Sequence, residues 1–513
     1  MVAQSRPIRI GQFEYDIILE RGPGSAPVYR QIADALRERI VSGQIATGTR
    51  LPPERRLAAQ LGVNRSTIVT AYDELVSANL VNGRVGDGTV VTFQAEQRGA
   101  GSGRSIPWHQ LFANGSADLS PWIREILRIA LRSDVIPFAA SEPSPDLFPM
   151  EEVEAIAHGV LRDAGGDCLR YSPTEGIQPL REAIAERMRR RGARVSAANV
   201  IITAGAQQAL DLLGRCFLDP GSEAAVESPT FVGAIQAFRN RAARVVGVPV
   251  DEHGLRIEAV DDLLHRRRVK LLFVTPNFSN PTGAVLSEER RSRLVEITRR
   301  HQVPVIEDNV YGDTWLDSPP PASLIERPGS EHVIHVGSLS KALFAGLRIG
   351  WVVAQAPVVE RMALHKQVAD LFSGSFAQWL ALGIFQSGLY DRHIERVRTV
   401  YRERRDQLIA ALLREGRGAI VPNRPTGGSF LWCHLNDGLG SRDLLTQAAV
   451  QGVTFVPGDV FSVEGEEQSS LRLGFSLLNR QGIEEGARRL SSAINALRQR
   501  RKEETQAIAQ PLV

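Results

Sequence analysis

Four continuous apolar runs constrain this chain more than any other feature: "NVIITAG" (Asn199–Gly205), "EAAVESP" (Glu223–Pro229), "KLLFVTP" (Lys270–Pro276) and "VPVIEDN" (Val303–Asn309). Strands with one wet face alternate apolar and polar residues, whereas these runs do not, so both of their faces must be covered. Helical stretches separate them, and that order predicts βαβ units on a largely parallel sheet. The pattern is firm from about residue 135. Beyond about Arg398 it gives way to a smaller α+β portion whose strands are "GGSFLWCHL" and "SSLRLGFS". A body over 135–500 is expected, closing in a charged helix and a frayed tail over 501–513.

A chain of 513 residues exceeds one compact core, and the region before residue 135 reads differently. "PVYRQIADALRERIVSG" places Ile32, Leu36 and Ile40 at helical spacing and stops at Gly43. "LPPERRLAAQLGVNRSTIVTAYDELVSANL" predicts a short helix with Pro53 in its first turn, an "LGVN" turn, and a second helix capped by Asn64. Two short helices about a glycine-containing turn read as a helix-turn-helix. "VNGRVGDGTVVTF" adds a hairpin, a wing with Arg84 near its tip. The head spans 8–93, and the Gly- and Ser-rich stretch from "QAEQRGAGSGRS" onward reads as a linker over 94–134.

In such a head the second helix enters the major groove of double-stranded DNA. Its leading side chains here are Asn64, Arg65, Ser66 and Thr67, with Thr70 one turn on. All can bond phosphates or bases, and Arg65 can read a guanine bidentately. Arg55 suits a phosphate contact, and Arg84 suits the minor groove. A net charge of only +3 announces no global field, so any basic surface is local. The head resembles the GntR-type winged helix, whose pattern is matched by Leu51, Pro52, Glu54, Arg55, Leu57, Ala58, Leu61, Gly62, Val63, Arg65 and Thr67.

The three cysteines, Cys168, Cys216 and Cys433, are far apart and form no CxxC pair, which speaks against both a disulfide framework and a zinc site; no metal is expected. With no apolar N-terminal region and no run of about 18 apolar residues, a cytoplasmic location is expected.

Of 61 lysines and arginines only Lys270, Lys341, Lys366 and Lys502 are lysine, so chemistry that needs a primary amine has four candidates. Lys341 stands apart: in "GSLSKALFAGLRIG" it is flanked by Ser338 and Ser340 and followed by Arg348, two hydroxyls and a guanidinium suited to a phosphate. Alone, that stretch also fits a surface loop with an ordinary lysine. Other stretches add to it. "IEDNVYGD" ends a buried strand in Asp308, able to pair with a protonated pyridine nitrogen, and in Tyr311, able to bond a ring oxygen. "TPNFSNPTG" offers Asn280 as a second donor to that oxygen. "TAGAQQAL" puts Gly205, Ala206 and Gln207 at a strand-to-helix junction where backbone N–H groups favour phosphate. Phe231 of "SPTF" is placed to stack on a ring.

The order of these stretches resembles the fold-type I pyridoxal-phosphate aminotransferases over roughly 135–497. The resemblance implies an α/β body with pyridoxal 5'-phosphate as an aldimine on Lys341, Asp308 on the pyridine nitrogen, and Asn280 and Tyr311 on the ring oxygen. It places Ser338, Ser340, Arg348 and the Ala206–Gln207 backbone on the phosphate, with Tyr171 reaching over from the second subunit of a homodimer. Arg472 of "LRLGF" matches the arginine that clamps the α-carboxylate of an amino acid.

Head and body together resemble the MocR-type bacterial transcription regulators, whose body senses an amino compound or vitamer. Many members differ at "NFSNPTG" and "EDNVYGD", where this chain is closer to free-standing aminoadipate- and kynurenine-type aminotransferases. Two readings follow: a regulator that senses an amino acid or amine by aldimine exchange at Lys341, or an active amino-acid aminotransferase that also carries a DNA-binding head.

Overall fold

The computed structural model describes residues 2–10, 13–21, 27–41, 44–45, 48–78, 80–84, 88–93, 128–130, 132 and 134–509. Contacts divide the chain into two units, Met1–Leu111 and Phe112–Val513. Most of the expected linker over 94–134, and the helix stop at Gly43, lie outside the described residues.

The first unit begins with an antiparallel hairpin, β1 (Val2–Ile10) and β2 (Phe13–Arg21), which the sequence reading missed. Its signal was the alternation in "EYDIILE": Ile17 and Leu19, two residues apart, are both buried in the core of this unit. Helix α1 (Val28–Val41) buries Ile32, Leu36 and Ile40 completely, because a spacing of four keeps them on one face. Each such side chain contributes about 1.5–3 kcal/mol by leaving water.

Helix α2 (Glu54–Leu61) ends at Gly62, whose φ of 61° lets its N–H reach the Ala58 carbonyl and turn the chain sharply into α3 (Arg65–Ser77). Two expectations need correction. Pro53 precedes α2 as its N-cap rather than lying in the first turn. Asn64 occupies the N-cap of α3 without a side-chain capping bond; the Thr67 N–H goes to the Asn64 carbonyl at 3.0 Å, so the exposed amide side chain stays unengaged by the cap. Strands β3 (Val81–Arg84) and β4 (Gly88–Val91) form the wing hairpin. The Arg84 side chain lies outside what the structure describes.

The second unit is built on an eight-stranded sheet in the order Val200–Thr203, Gly350–Val353, Val333–Ser338, Val305–Asp308, Val269–Val274, Glu223–Ser228, Arg244–Asp251 and Gly254–Leu255. Neighbours are parallel except that Gly350–Val353 runs antiparallel to both of its neighbours, and short Gly254–Leu255 to its one. This is the α/β aminotransferase-type architecture expected. Helices cover both faces, which is why Val200–Thr203, Val305–Asp308 and Val333–Ser338 are buried along their whole length. Topology now places the chemistry. Thr203, Ser228, Val274, Asp308 and Ser338 all end strands at one edge, and Gly350 starts its strand there, opposite both Thr203 and Ser338. That carboxyl edge is where open α/β sheets bind ligands.

A four-stranded antiparallel sheet, Ile420–Pro422, Phe430–Leu435, Ser470–Gly474 and Val456–Pro457, forms the smaller α+β portion. The expected boundary near Arg398 falls inside one long helix, Leu389–Gly416, because that helix serves both portions. The last helix, Arg480–Ala509, continues through most of the stretch read as a frayed tail. Among the described residues no helix is long and apolar enough to cross a membrane.

Candidate functional site

Lys341 follows the strand end Ser338 and is half-buried, its Nζ donating to the Ser141 carbonyl at 3.1 Å and reaching the Ser141 Oγ at 3.4 Å. The same Nζ lies 5.9 Å from the centre of the Tyr311 ring. Tyr311 is buried and meets Phe430 edge to face at 5.3 Å. Phe430 and Phe461 flank the guanidinium of Arg472 at 5.3 and 5.2 Å, and Arg472 Nη1 donates to Asn280 Oδ1 at 2.9 Å. Residues from Ser141 to Arg472, far apart in sequence, thus converge on one site. With its oxygen engaged, Asn280 presents its amide N–H end as the donor.

Asp308 ends its strand with 4% of its surface exposed. Burial pushes its carboxyl up to about 6, against the Val310 N–H at 3.3 Å and the charges of His335 and Lys341, which pull it down. A carboxylate so short of compensation is stabilised by a cation, and a protonated pyridine nitrogen supplies one. Next to Asp308 on the same strand, Glu307 Oε2 lies 3.0 Å from His335 Nδ1, and the Leu324 N–H donates to Glu307 Oε1, which ties the strand that ends in Asp308 to its neighbours.

The end of the site expected to take a phosphate is assembled from three segments. Arg348 has a φ of 55°, a conformation that costs a residue with a side chain on the order of 1–3 kcal/mol. It directs the guanidinium to the Ala204 carbonyl, which accepts from Nη2 at 2.9 Å. Gly205 sits against it with a φ of 84°, and a Cβ there would come within 2.7 Å of Nη2, so only glycine fits. From Gly205 the helix Ala206–Phe217 departs with its first N–H groups free for an anion. Ser340 is partly exposed, whereas Ser338 is buried and its Oγ is engaged with Ser340 and the Ile349 carbonyl. Ser338 therefore orients Ser340 in this arrangement. Gln207 donates to the Gly233 carbonyl at 3.0 Å, which joins the phosphate helix to the helix that Phe231 caps.

Arg472 is 7% exposed; it also donates from Nη2 to the Ala139 carbonyl, and its buried Nε has no partner. No carboxylate of the described residues pairs with it, and burial lowers its pKa from the ordinary value. A buried cation without an anion is unfavourable, and a ligand carboxylate would relieve it. The donor set fits a phosphorylated pyridine cofactor: a cationic phosphate end, a carboxylate at the ring nitrogen, two donors for a ring oxygen and one amine. Tyr171 stands apart, 84% exposed and touching Phe372 at 5.2 Å.

Sequence reasoning missed four contributors. Ala139 and Ser141 come from the segment just past the expected linker; it is drawn into the fold where the Gly474 N–H donates to the Phe138 carbonyl at 2.7 Å. Glu227, 1% exposed, accepts from the Thr275 N–H at 2.9 Å and anchors the loop that leads to Asn280. Burial pushes it up to about 8, with Asp308 adding to the rise, so it is mainly protonated at neutral pH. Lys366, read only as part of a helix, is fully buried and bonded to Asp370 at 2.7 Å and Gln208 at 3.3 Å. Gln208 in turn accepts from the Ala204 N–H, bracing the phosphate end.

On the head, Arg55, Asn64, Arg65, Ser66 and Thr70 are exposed and Thr67 is partly so. Arg65 pairs with Glu54 at 2.8 Å; an exposed pair of this kind is worth at most about 1 kcal/mol, so a phosphate or guanine displaces it readily. Thr70 Oγ1 donates to the Ser66 carbonyl, which holds it against its own helix.

Residues 133–490 match the family model "Aminotransferase class I and II", and residues 28–91 match "Bacterial regulatory proteins, gntR family". A 2-aminoadipate transaminase of Thermus thermophilus is 38% identical over 398 residues, covering 77% of this chain and 99% of that protein. An uncharacterized HTH-type transcriptional regulator of Bacillus subtilis, YdfD, is 32% identical over 481 residues, 92% of this chain and 98% of its own. The crystal structure of LysN, the alpha-aminoadipate aminotransferase of Thermus thermophilus, complexed with N-(5'-phosphopyridoxyl)-L-leucine, superposes with a TM-score of 0.71 at 38% identity, covering 76% of this chain and 99% of that one.

Proposed function

The chain belongs to the aminotransferase class I and II family and carries a gntR-type head in the MocR-type arrangement, and we propose that it is a transcription regulator whose body reads the level of an amino acid and passes it to DNA. Its cofactor is pyridoxal 5'-phosphate. When bound, this group supplies an electrophilic aldehyde and an electron-withdrawing ring.

The residues divide the work. Lys341 would offer its Nζ to the cofactor's aldehyde carbon. Asp308 would keep a proton on the ring nitrogen, Asn280 and Tyr311 would hold the ring oxygen, and Arg348, Ser340 and the Ala206–Gln207 backbone would hold the phosphate. Phe231 would stack on the ring. The unpaired, buried Arg472 is the observation that carries the reading: it awaits a carboxylate, so the effector is an amino acid rather than a simple amine. An amino acid that engaged both the Lys341 end of the site and Arg472 would favour one state of the protein, and an effector with such a preference can shift an equilibrium.

A homodimer accords with the exposed apolar side chains of Leu169, Tyr171, Val368 and Leu371, since Tyr171 then leaves water to reach the phosphate of the second copy. The relative named for 2-aminoadipate favours a second reading, an active aminotransferase. Steady turnover of 2-aminoadipate with a 2-oxo acid would establish it; a single half-reaction that stops at the cofactor supports the regulator.

For the head, Arg65→Ala is expected to weaken operator binding about 10- to 100-fold and to flatten its dependence on salt, while leaving the cofactor's visible band intact. Anisotropy of labelled DNA at several salt concentrations measures this. Unchanged binding would remove α3 from the interface.

A further inference from the structure

Away from the pocket, two helices of the second unit bring three side chains together. Asp261 and His265 lie one turn apart on Ile257–Arg266, and His301 is the residue that ends Glu288–Arg300. Asp261 Oδ1 is 3.3 Å from His265 Nδ1 and 3.6 Å from His301 Nε2, and one donor atom from each of the three lies within 4.8 Å of the others. Bonds of about 2.0–2.1 Å around a tetrahedral ion set neighbouring donors roughly 3.3–3.5 Å apart. Two of the spacings are already close to that edge length.

A second observation is independent of the spacing. Asp261 Oδ1 and His301 Nε2 are both shut off from solvent, and neither has a hydrogen-bond partner. Facing atoms of this kind lose hydration and gain no bond in return, which native structures rarely leave unanswered. A hydrogen bond between them would answer it, but 3.6 Å is too long for one. An ion between them satisfies both. His265 Nδ1–H now donates to the Asp261 carbonyl at 2.8 Å; metal ligation through Nδ1 gives up this helix-surface hydrogen bond and uses the tautomer whose proton sits on the outward Nε2. Its ring already meets that of His301 edge to face at 4.6 Å between centres.

We propose that Asp261, His265 and His301 bind a divalent transition-metal ion of the zinc class, with water in the fourth position. Two imidazoles and one carboxylate suit zinc, cobalt or nickel, whereas calcium and magnesium require a shell of oxygens. The ion staples the end of Glu288–Arg300 to its neighbour helix. Near its other end the same helix carries Arg291, which is fully buried and donates to the Pro276 carbonyl at 2.8 Å and to Asn277 Oδ1 at 2.6 Å, in the segment that leads to Asn280. The site thus fastens an element that braces the cofactor pocket. The expectation of no metal rested on cysteine spacing, which addresses thiolate sites only; the readable signal was the Asp–x3–His pair on an amphipathic helix.

The test uses tag-free, full-length, cofactor-loaded protein, stripped with chelator and titrated with zinc, and separately with cobalt. One ion per chain is expected, cobalt giving the intense visible bands of a four-coordinate site. His265→Ala and His301→Ala should each weaken zinc binding at least about tenfold, since even changes behind the ligands of a metal site cost 10- to 100-fold. Zinc should raise the melting temperature of the parent protein and not that of His265→Ala. The cofactor band, unchanged in both variants, reports that they fold. Absence of stoichiometric uptake, or uptake unaltered in both variants, overturns the proposal.

Discussion

Lys341→Ala is expected to abolish the visible band of the lysine-bound cofactor and to leave no adduct after borohydride reduction, whereas the parent protein gains one cofactor mass on the peptide that contains Lys341. The effect should be all-or-none, because the other amines are elsewhere engaged or placed: Lys270 is exposed at the start of its strand, Lys366 is buried against Asp370, and Lys502 belongs to the last helix. Folding should survive, since Lys341 donates only to Ser141 from a half-buried position. Absorbance and peptide mass together check this. A band of unchanged intensity would mean that another amine carries the cofactor.

The second large effect concerns Arg472. Arg472→Ala should weaken amino-acid binding about 30- to 1,000-fold, the equivalent of about 2–4 kcal/mol for losing one partner of a buried, hydrogen-bonded charge pair. Arg472→Lys should recover little, because an ammonium cannot bridge a carboxylate while also serving the Asn280 oxygen and the Ala139 carbonyl. Titrating the ligand against the shift of the cofactor band gives the affinities. An amine with no carboxylate serves as control and should bind parent and variant alike. If the amino acid behaves like that control, Arg472 is not its clamp.

What the sequence disclosed, and what it concealed, follows the range of the forces involved. Local signals were legible: the fully buried strands, the αL glycine between α2 and α3, and the glycine turn that opens the helix Ala206–Phe217. The stretch around Lys341, with Ser338 and Ser340 just before it, was ambiguous alone and gained its reading only from the order of the other stretches. Glu227, Ser141 and Ala139 were not legible in the same way, because a buried carboxyl and two backbone carbonyls acquire meaning only from what folds against them. Lys366 shows the same limit: its partner Asp370 is one turn away, but its burial is a tertiary fact. The cap at Asn64 was overread, since a residue type that favours a position does not guarantee the bond. The hairpin of β1 and β2 was overlooked because its alternation is short.

The central claim is that occupancy of the pocket changes the grip of the head on DNA. The direct measurement is the affinity of one operator fragment, at one salt concentration, with and without an amino acid that shifts the cofactor band. The account predicts a change of at least about fivefold in the parent protein, the lower end of common coupling energies, and none in Lys341→Ala. Equal affinity in the parent protein, with the band fully shifted, would contradict it.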